Sequence, residues 1–121
     1  MFDKIIIGIN TNQTNSAYIS VPFLVNKIVV ERTNVDDESL GTTLSPYLMC
    51  KTDLIGLDNE FPVSYPNQLT NTFCSSKPIT FLYPEKRDIN GLYTFNIYDY
   101  VSLAHITDIT LSVLISFIND E

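Results

Sequence analysis

Tryptophan is absent from this chain, histidine occurs once, cysteine twice and glycine four times. Each scarcity removes a class of chemistry. The single histidine, His105, is the only imidazole base, so a His-rich metal site has no second ligand of its kind. The glycines, Gly8, Gly41, Gly56 and Gly91, stand singly, so the chain has no glycine-rich phosphate loop. Two cysteines, Cys50 and Cys74, allow at most one bridge and no disulfide framework. Without tryptophan, the usual platform for stacking a sugar ring is missing. Positive charge is also scarce: 7 Lys and Arg stand against 14 Asp and Glu, for a net charge of −7. That balance repels phosphate backbones and anionic lipid, which argues against general nucleic-acid or membrane-surface binding.

Long apolar runs are missing too. The stretch from Ile109 to Ile118 spans about ten residues, against ~20 for a membrane helix, and Thr110, Ser112 and Ser116 interrupt it. Met1-Phe2-Asp3-Lys4 places an acid where a signal peptide carries its basic region, and Ile5-Ile6-Ile7 is too short for its apolar core. The expectation is no signal peptide and no transmembrane segment.

What remains is apolar material with β character. The 121 residues fit one domain, 1–121, and a 45% apolar share supplies a core, which excludes wholesale disorder. Charged residues are only 17%, below the ~25% of an average soluble chain. Phe2 to Ile9 is an isoleucine-rich run, followed by the polar loop Asn10 to Ser16. Tyr18 to Val21 and Phe23 to Arg32 read as strands, the second rich in β-branched residues. Asp36-Asp37-Glu38 lies in an acidic loop, and Tyr47 to Ile55 reads as a strand ending at Gly56.

Leu57 to Thr70, with Pro62 and Pro66, reads as a long connection with room for one helical turn. Asn71 to Ser75 and Ile79 to Tyr83 read as short strands, the latter closed by Pro84. Glu85 to Gly91 reads as a charged turn whose Asn90-Gly91 pair suits a tight hairpin. Leu92 to Tyr98 alternates, with Tyr93, Phe95 and Ile97 on one face. The clearest alternation closes the chain: Ile109, Leu111, Val113, Ile115 and Phe117 share one side. Seven or eight strands at this spacing predict an all-β sandwich or barrel.

Few residues invite chemistry. His105 has no spacing that ties it to Cys50 or Cys74, and a structural histidine is the preferred reading. The cysteines read best as small, reduced apolar residues. Asp36-Asp37-Glu38 and Asp58-Asn59-Glu60 offer oxygen ligands to a hard cation, yet neither follows the EF-hand spacing. Solvated loop charge is the simpler account. Lys86-Arg87 lies beside Glu85 and Asp88, and Asn12-Gln13-Thr14 is a glycosylation sequon without a signal peptide to make it accessible. No catalytic, cofactor-binding or metal-ligating residue is assigned, and no cofactor is expected.

Three stretches share a pattern with a known family. They are Tyr47-Leu48-Met49-Cys50-Lys51-Thr52-Asp53-Leu54-Ile55-Gly56, then Phe81-Leu82-Tyr83-Pro84 with the turn to Gly91 and Tyr93-Thr94-Phe95, and finally Ile106-Thr107-Asp108-Ile109-Thr110-Leu111-Ser112-Val113. Together they resemble the single jelly-roll capsid proteins, penton or minor capsid type, of large icosahedral double-stranded DNA viruses. The resemblance implies a jelly-roll-like β-sandwich and a non-enzymatic coat subunit. It implies a homo-oligomer that meets copies of itself and neighbouring capsid proteins, without direct nucleic-acid contact or membrane insertion. Its place would be the virion, and otherwise the cytoplasm. The alternative is a β-sandwich carbohydrate- or partner-binding module, with a small enzyme on a β fold third.

Overall fold

The computed structural model describes residues 2–11, 16–35, 48–56, 58–63, 73–74, 78–106 and 111–120. Among them it places ten strands and no helix. In chain order they are β1 (Phe2–Thr11), β2 (Ser16–Ser20), β3 (Val25–Val35), β4 (Leu48–Thr52), β5 (Glu60–Pro62), β6 (Phe73–Cys74), β7 (Ile79–Arg87), β8 (Asn90–Asp99), β9 (His105–Ile106) and β10 (Leu111–Asp120). Two of these, β6 and β9, are only two residues long. The other eight carry the architecture, in agreement with the seven or eight expected.

Those eight form two antiparallel sheets. The first runs β1-β10-β3-β7, with β6 also on β3; the second runs β2-β8-β4-β5, with β9 also on β8. The pairs β1·β10, β2·β8, β3·β7 and β4·β5 are nested. The chain is thus one long antiparallel hairpin rolled so that successive pairs fall in alternate sheets. This is a jelly-roll-like β-sandwich.

Alternation fills the space between the sheets. From the first sheet, Ile9, Ile28, Val30, Val113, Ile115 and Phe117 are buried; from the second, Ile19, Leu48, Cys50, Phe61, Phe95 and Ile97 are buried. All belong to one core cluster. Val113, Ile115 and Phe117 therefore face inward as their spacing predicts, and Tyr93 packs against the same core. Ile109 and the Leu111 side chain lie outside the described residues, as does the Asn12-Gln13-Thr14 sequon. β3 keeps its inward pattern through a bulge: Leu114 pairs with Arg32 and Ile115 with Val30, leaving Glu31 as the extra residue.

Four expectations change. Asn90-Gly91 is not a hairpin turn, because both residues belong to β8, and β7 and β8 lie in different sheets. The crossing is made at Asp88 and Ile89, whose isoleucine is fully buried. Pro84 does not end its strand: β7 continues to Arg87, and the proline falls between the paired residues Leu82 and Arg87, on an edge strand where no ladder donor is needed. The connection after Leu57 contains a strand, β5, that the sequence pattern does not signal, while Leu57 and residues 64–70, where a helical turn has room, lie outside the described residues. Tyr47 to Ile55 is a shorter strand than its pattern suggests, since residues 53–55 form a turn.

That turn plugs one end of the sandwich. Leu54 and Ile55 are fully buried, which forces their carbonyls to find partners inside. Arg87 donates to the Leu54 carbonyl at 2.6 Å, and the Tyr83 hydroxyl donates to that of Ile55 at 3.1 Å. The guanidinium also stacks 4.7 Å from the Tyr83 ring centre. Gly56 follows with φ of 101°, a conformation that excludes most side chains.

Val113 tests the core assignment. Val113→Asp should abolish cooperative folding, since a buried unpaired carboxylate costs several kcal/mol against a total of about 5–15. Phe117→Ala should keep the fold but lose about 3–5 kcal/mol. Denaturant unfolding followed by circular dichroism separates the two outcomes.

Candidate functional site

The residues singled out for chemistry end up apart. Cys50 lies on β4 between Phe61 and Ile97, fully buried, while His105 is exposed on β9 opposite Tyr98. Tyr98 and Ile97 point to opposite faces of β8, so the sheet itself separates Cys50 from His105. Burial pushes the Cys50 thiol far above its ordinary range, which suppresses the thiolate and with it any nucleophilic role. Cys74 sits on β6 in the other sheet; its side chain lies outside the described residues. Cys50 is a free thiol and behaves as the small apolar residue expected.

The acidic groups divide similarly. Asp36-Asp37-Glu38 lies outside the described residues. Asp58 is exposed, Asn59 donates its amide to the Ile55 carbonyl at 3.0 Å, and Glu60 accepts the Tyr98 hydroxyl proton. Among the described residues no three His, Cys, Asp or Glu side chains gather round a common point. Arg87 of the Lys86-Arg87 pair is structural, as its bond to Leu54 shows.

Three surface features remain. The first is the outer face of the second sheet. Register places Tyr18 beside Leu92, Lys51 between Asn96 and Glu60, and Tyr98 between Met49 and His105. Lys51 Nζ sits 5.7 Å from the Tyr98 ring centre, and the phenol donates to Glu60. This face combines aromatic surface with donors and acceptors already bonded to one another.

The second is the turn joining β8 to β9. Asp99 is nearly buried and organises it: its carboxylate accepts from the Val101 amide at 2.9 Å, and its carbonyl accepts from the Leu103 amide at 2.7 Å. Leu103 is held at φ of 63°, a left-handed conformation uncommon for leucine. Tyr100, Val101 and Leu103 are thereby projected outward, all more than half exposed.

The third is the outer face of the first sheet. Ile6, Leu82 and Leu114 are exposed on it, and a depression of about 350 Å³ opens beside Gly8, Arg32, Ser112 and Leu114. No Cβ is present at Gly8 to fill this space, and a side chain there would meet nothing within 4 Å. The alternation of β10 marks Leu114 as outward, but Ser116 and Ile118 on the same side are buried. Ser116 donates to Glu31 at 2.8 Å, a contact that depends on the bulge and so has no local signal in sequence.

Compared with known proteins, the chain matches no family model, and no curated protein or solved structure is significantly similar to it. No helix among the described residues is long and apolar enough to cross a membrane.

Two titrations test these placements. In a Cys74→Ser chain, Cys50 should resist thiol reagents until the protein is unfolded. The Glu60 hydrogen bond, then burial and the Glu60 charge, push the Tyr98 phenol from 10.0 to about 12. A pKa raised in the folded state favours folding below the unfolded value, and that contribution fades as pH rises from 10.0 through about 12. Ultraviolet titration should show Tyr98 ionising late, with Tyr83 also raised by its burial, and Glu60→Gln should return Tyr98 alone toward its ordinary value.

Proposed function

We propose that this chain is a non-enzymatic structural subunit of a viral capsid, of penton or minor capsid type, working as a homo-oligomer among neighbouring capsid proteins. One observation carries the reading. Large apolar side chains stand exposed on both sheets and on one turn: Ile6 and Leu82, Tyr18 and Leu92, Tyr100 and Leu103. Apolar surface that a fold leaves uncovered on several sides is suited to contacts with several neighbours at once. The jelly-roll-like strand order supports the same reading, being common in capsid and lectin domains alike. Fold alone does not choose between those two roles.

A second reading, a carbohydrate- or partner-binding module, draws on the outer face of the second sheet. There Tyr18, Tyr98, Asn96, Lys51 and Glu60 share one side of three adjacent strands and the β5 edge. Polar groups beside aromatic rings are what a sugar would require.

Native mass spectrometry and sedimentation across protein concentration separate these readings. A coat subunit should associate, and more strongly at moderate than at low salt, because a charge of −7 per copy opposes contact until the Debye length falls to ~8 Å. A chain that stays monomeric at high micromolar concentration and gives a specific hit on a glycan array is a binding module instead.

A further inference from the structure

Gly8 has no role that the chain itself explains. It lies inside β1, a ten-residue strand, and its backbone is not left-handed. A Cβ built on it would meet nothing within 4 Å. Neither conformation nor packing requires glycine here, and glycine weakens the interior of a strand. What the missing side chain leaves is the depression of about 350 Å³ on the outer face of the first sheet. A glycine inside a strand often marks a place where a ligand approaches the backbone closely.

The residues round this depression suit an anion with an apolar body. Register places Gly8 beside Leu114 and Leu114 beside Arg32, with Asn10 and Ser112 as the next outward pair. The Arg32 side chain is exposed and, among the described residues, pairs with no carboxylate. Its chain neighbour Glu31 accepts from Ser116 instead. The Ser112 hydroxyl donates to Asn10 Oδ1 at 2.7 Å, which leaves the Asn10 amide hydrogens without an acceptor among the described residues. The polar rim thus offers unused donors, Leu114 supplies an apolar wall, and Gly8 an open floor.

We infer that this depression binds a small aliphatic carboxylate. The planar carboxylate takes two parallel N–H donors of the Arg32 fork, with the Asn10 amide as a further donor. The aliphatic part lies over Gly8 against Leu114, where leaving water rewards it. A phosphate dianion suits the site less, since it has no apolar part to cover Leu114 and only one guanidinium to neutralise it. The volume is near the lower end of the ~300–1,000 Å³ of ligand pockets, so the ligand has few atoms. The site goes beyond the coat-subunit reading and depends on no contact between copies.

The test follows the backbone amides of the full chain by nuclear magnetic resonance during titration with hexanoate, hexanol and inorganic phosphate at fixed ionic strength. Hexanoate should shift Gly8, Ser112 and Leu114 and saturate with a dissociation constant on the order of 1 mM, as expected of so small a ligand in an open site. Hexanol and phosphate should each bind roughly tenfold more weakly, because each lacks one half of the match. Arg32→Gln should weaken hexanoate roughly tenfold and leave hexanol unchanged. Gly8→Val should abolish hexanoate binding with its thermal melt unchanged or raised, because the new side chain enters open space in a strand that valine favours. If Gly8→Val melts early, Arg32→Gln alone decides.

Shifts that never saturate overturn the inference, as does hexanol binding as tightly as hexanoate or phosphate binding more tightly than either. Saturable hexanoate binding that survives both variants overturns it equally, since the ligand then sits elsewhere.

Discussion

The pairing of the first strand with the last is the constraint on which this fold depends. β1 and β10 match over ten residues, from Phe2 with Asp120 to Thr11 with Leu111. The Ser112 hydroxyl reaches the Asn10 side chain across 102 positions of sequence. Closing a loop of that size costs about 4 kcal/mol in its length-dependent part. Burying Val113, Ile115 and Phe117 returns about 1.5–3 kcal/mol each, so the inward side of one strand outweighs the closure. Once the ends are joined, β2·β8, β3·β7 and β4·β5 close progressively shorter loops inside them.

The sheets are then fixed to each other by polar contacts at the sandwich ends. Arg87 on the first sheet donates to the carbonyl of Leu54, which follows β4 on the second. Tyr83 reaches the neighbouring Ile55 carbonyl from the same strand. These carbonyls are buried with their residues, and an orphaned acceptor there would cost about 1–3 kcal/mol. The Val21 amide, bonded to the Ile89 carbonyl, ties the two crossings between sheets together at 2.9 Å. The positions of both outer faces follow from these locks, since neither sheet can rotate without breaking them.

The parts legible in sequence were those governed by period-two alternation within one strand. Tyr93, Phe95 and Ile97, and Val113, Ile115 and Phe117, declare their side because each strand has one face on the core. Local punctuation was less reliable. Pro84 reads as a stop but sits in an interrupted stretch of an edge strand, and Asn90-Gly91 reads as a turn but begins β8. In both cases tertiary pairing overrode a two-residue preference. The surface features were not legible at all. The bulge at Glu31 and the burial of Ser116 arise between strands distant in sequence, and the Asp99-organised turn, though local, carries no glycine or proline to mark it.

The two outer faces show why a coat-like role does not follow from the strand order alone. On the second sheet, polar groups satisfy one another: Tyr98 with Glu60, and Tyr18 with Asn90 at 2.9 Å. Such groups can exchange partners with a ligand at little net cost. On the first sheet, Ile6 and Leu82 have no such exchange to make, because only removal from water rewards them. They contribute nothing to the core, which is complete on the opposite side of their strands. Their strands, β1 and β7, are also the edges of the four-strand row, where exposed apolar residues raise the risk of disordered association. Lys4 and Asp3 beside Ile5 limit strand-to-strand addition at the β1 edge by placing charge there. Charge at the edge thus discourages growth within the sheet plane, while Ile6 and Leu82 remain exposed on the face at little risk of strand-to-strand addition.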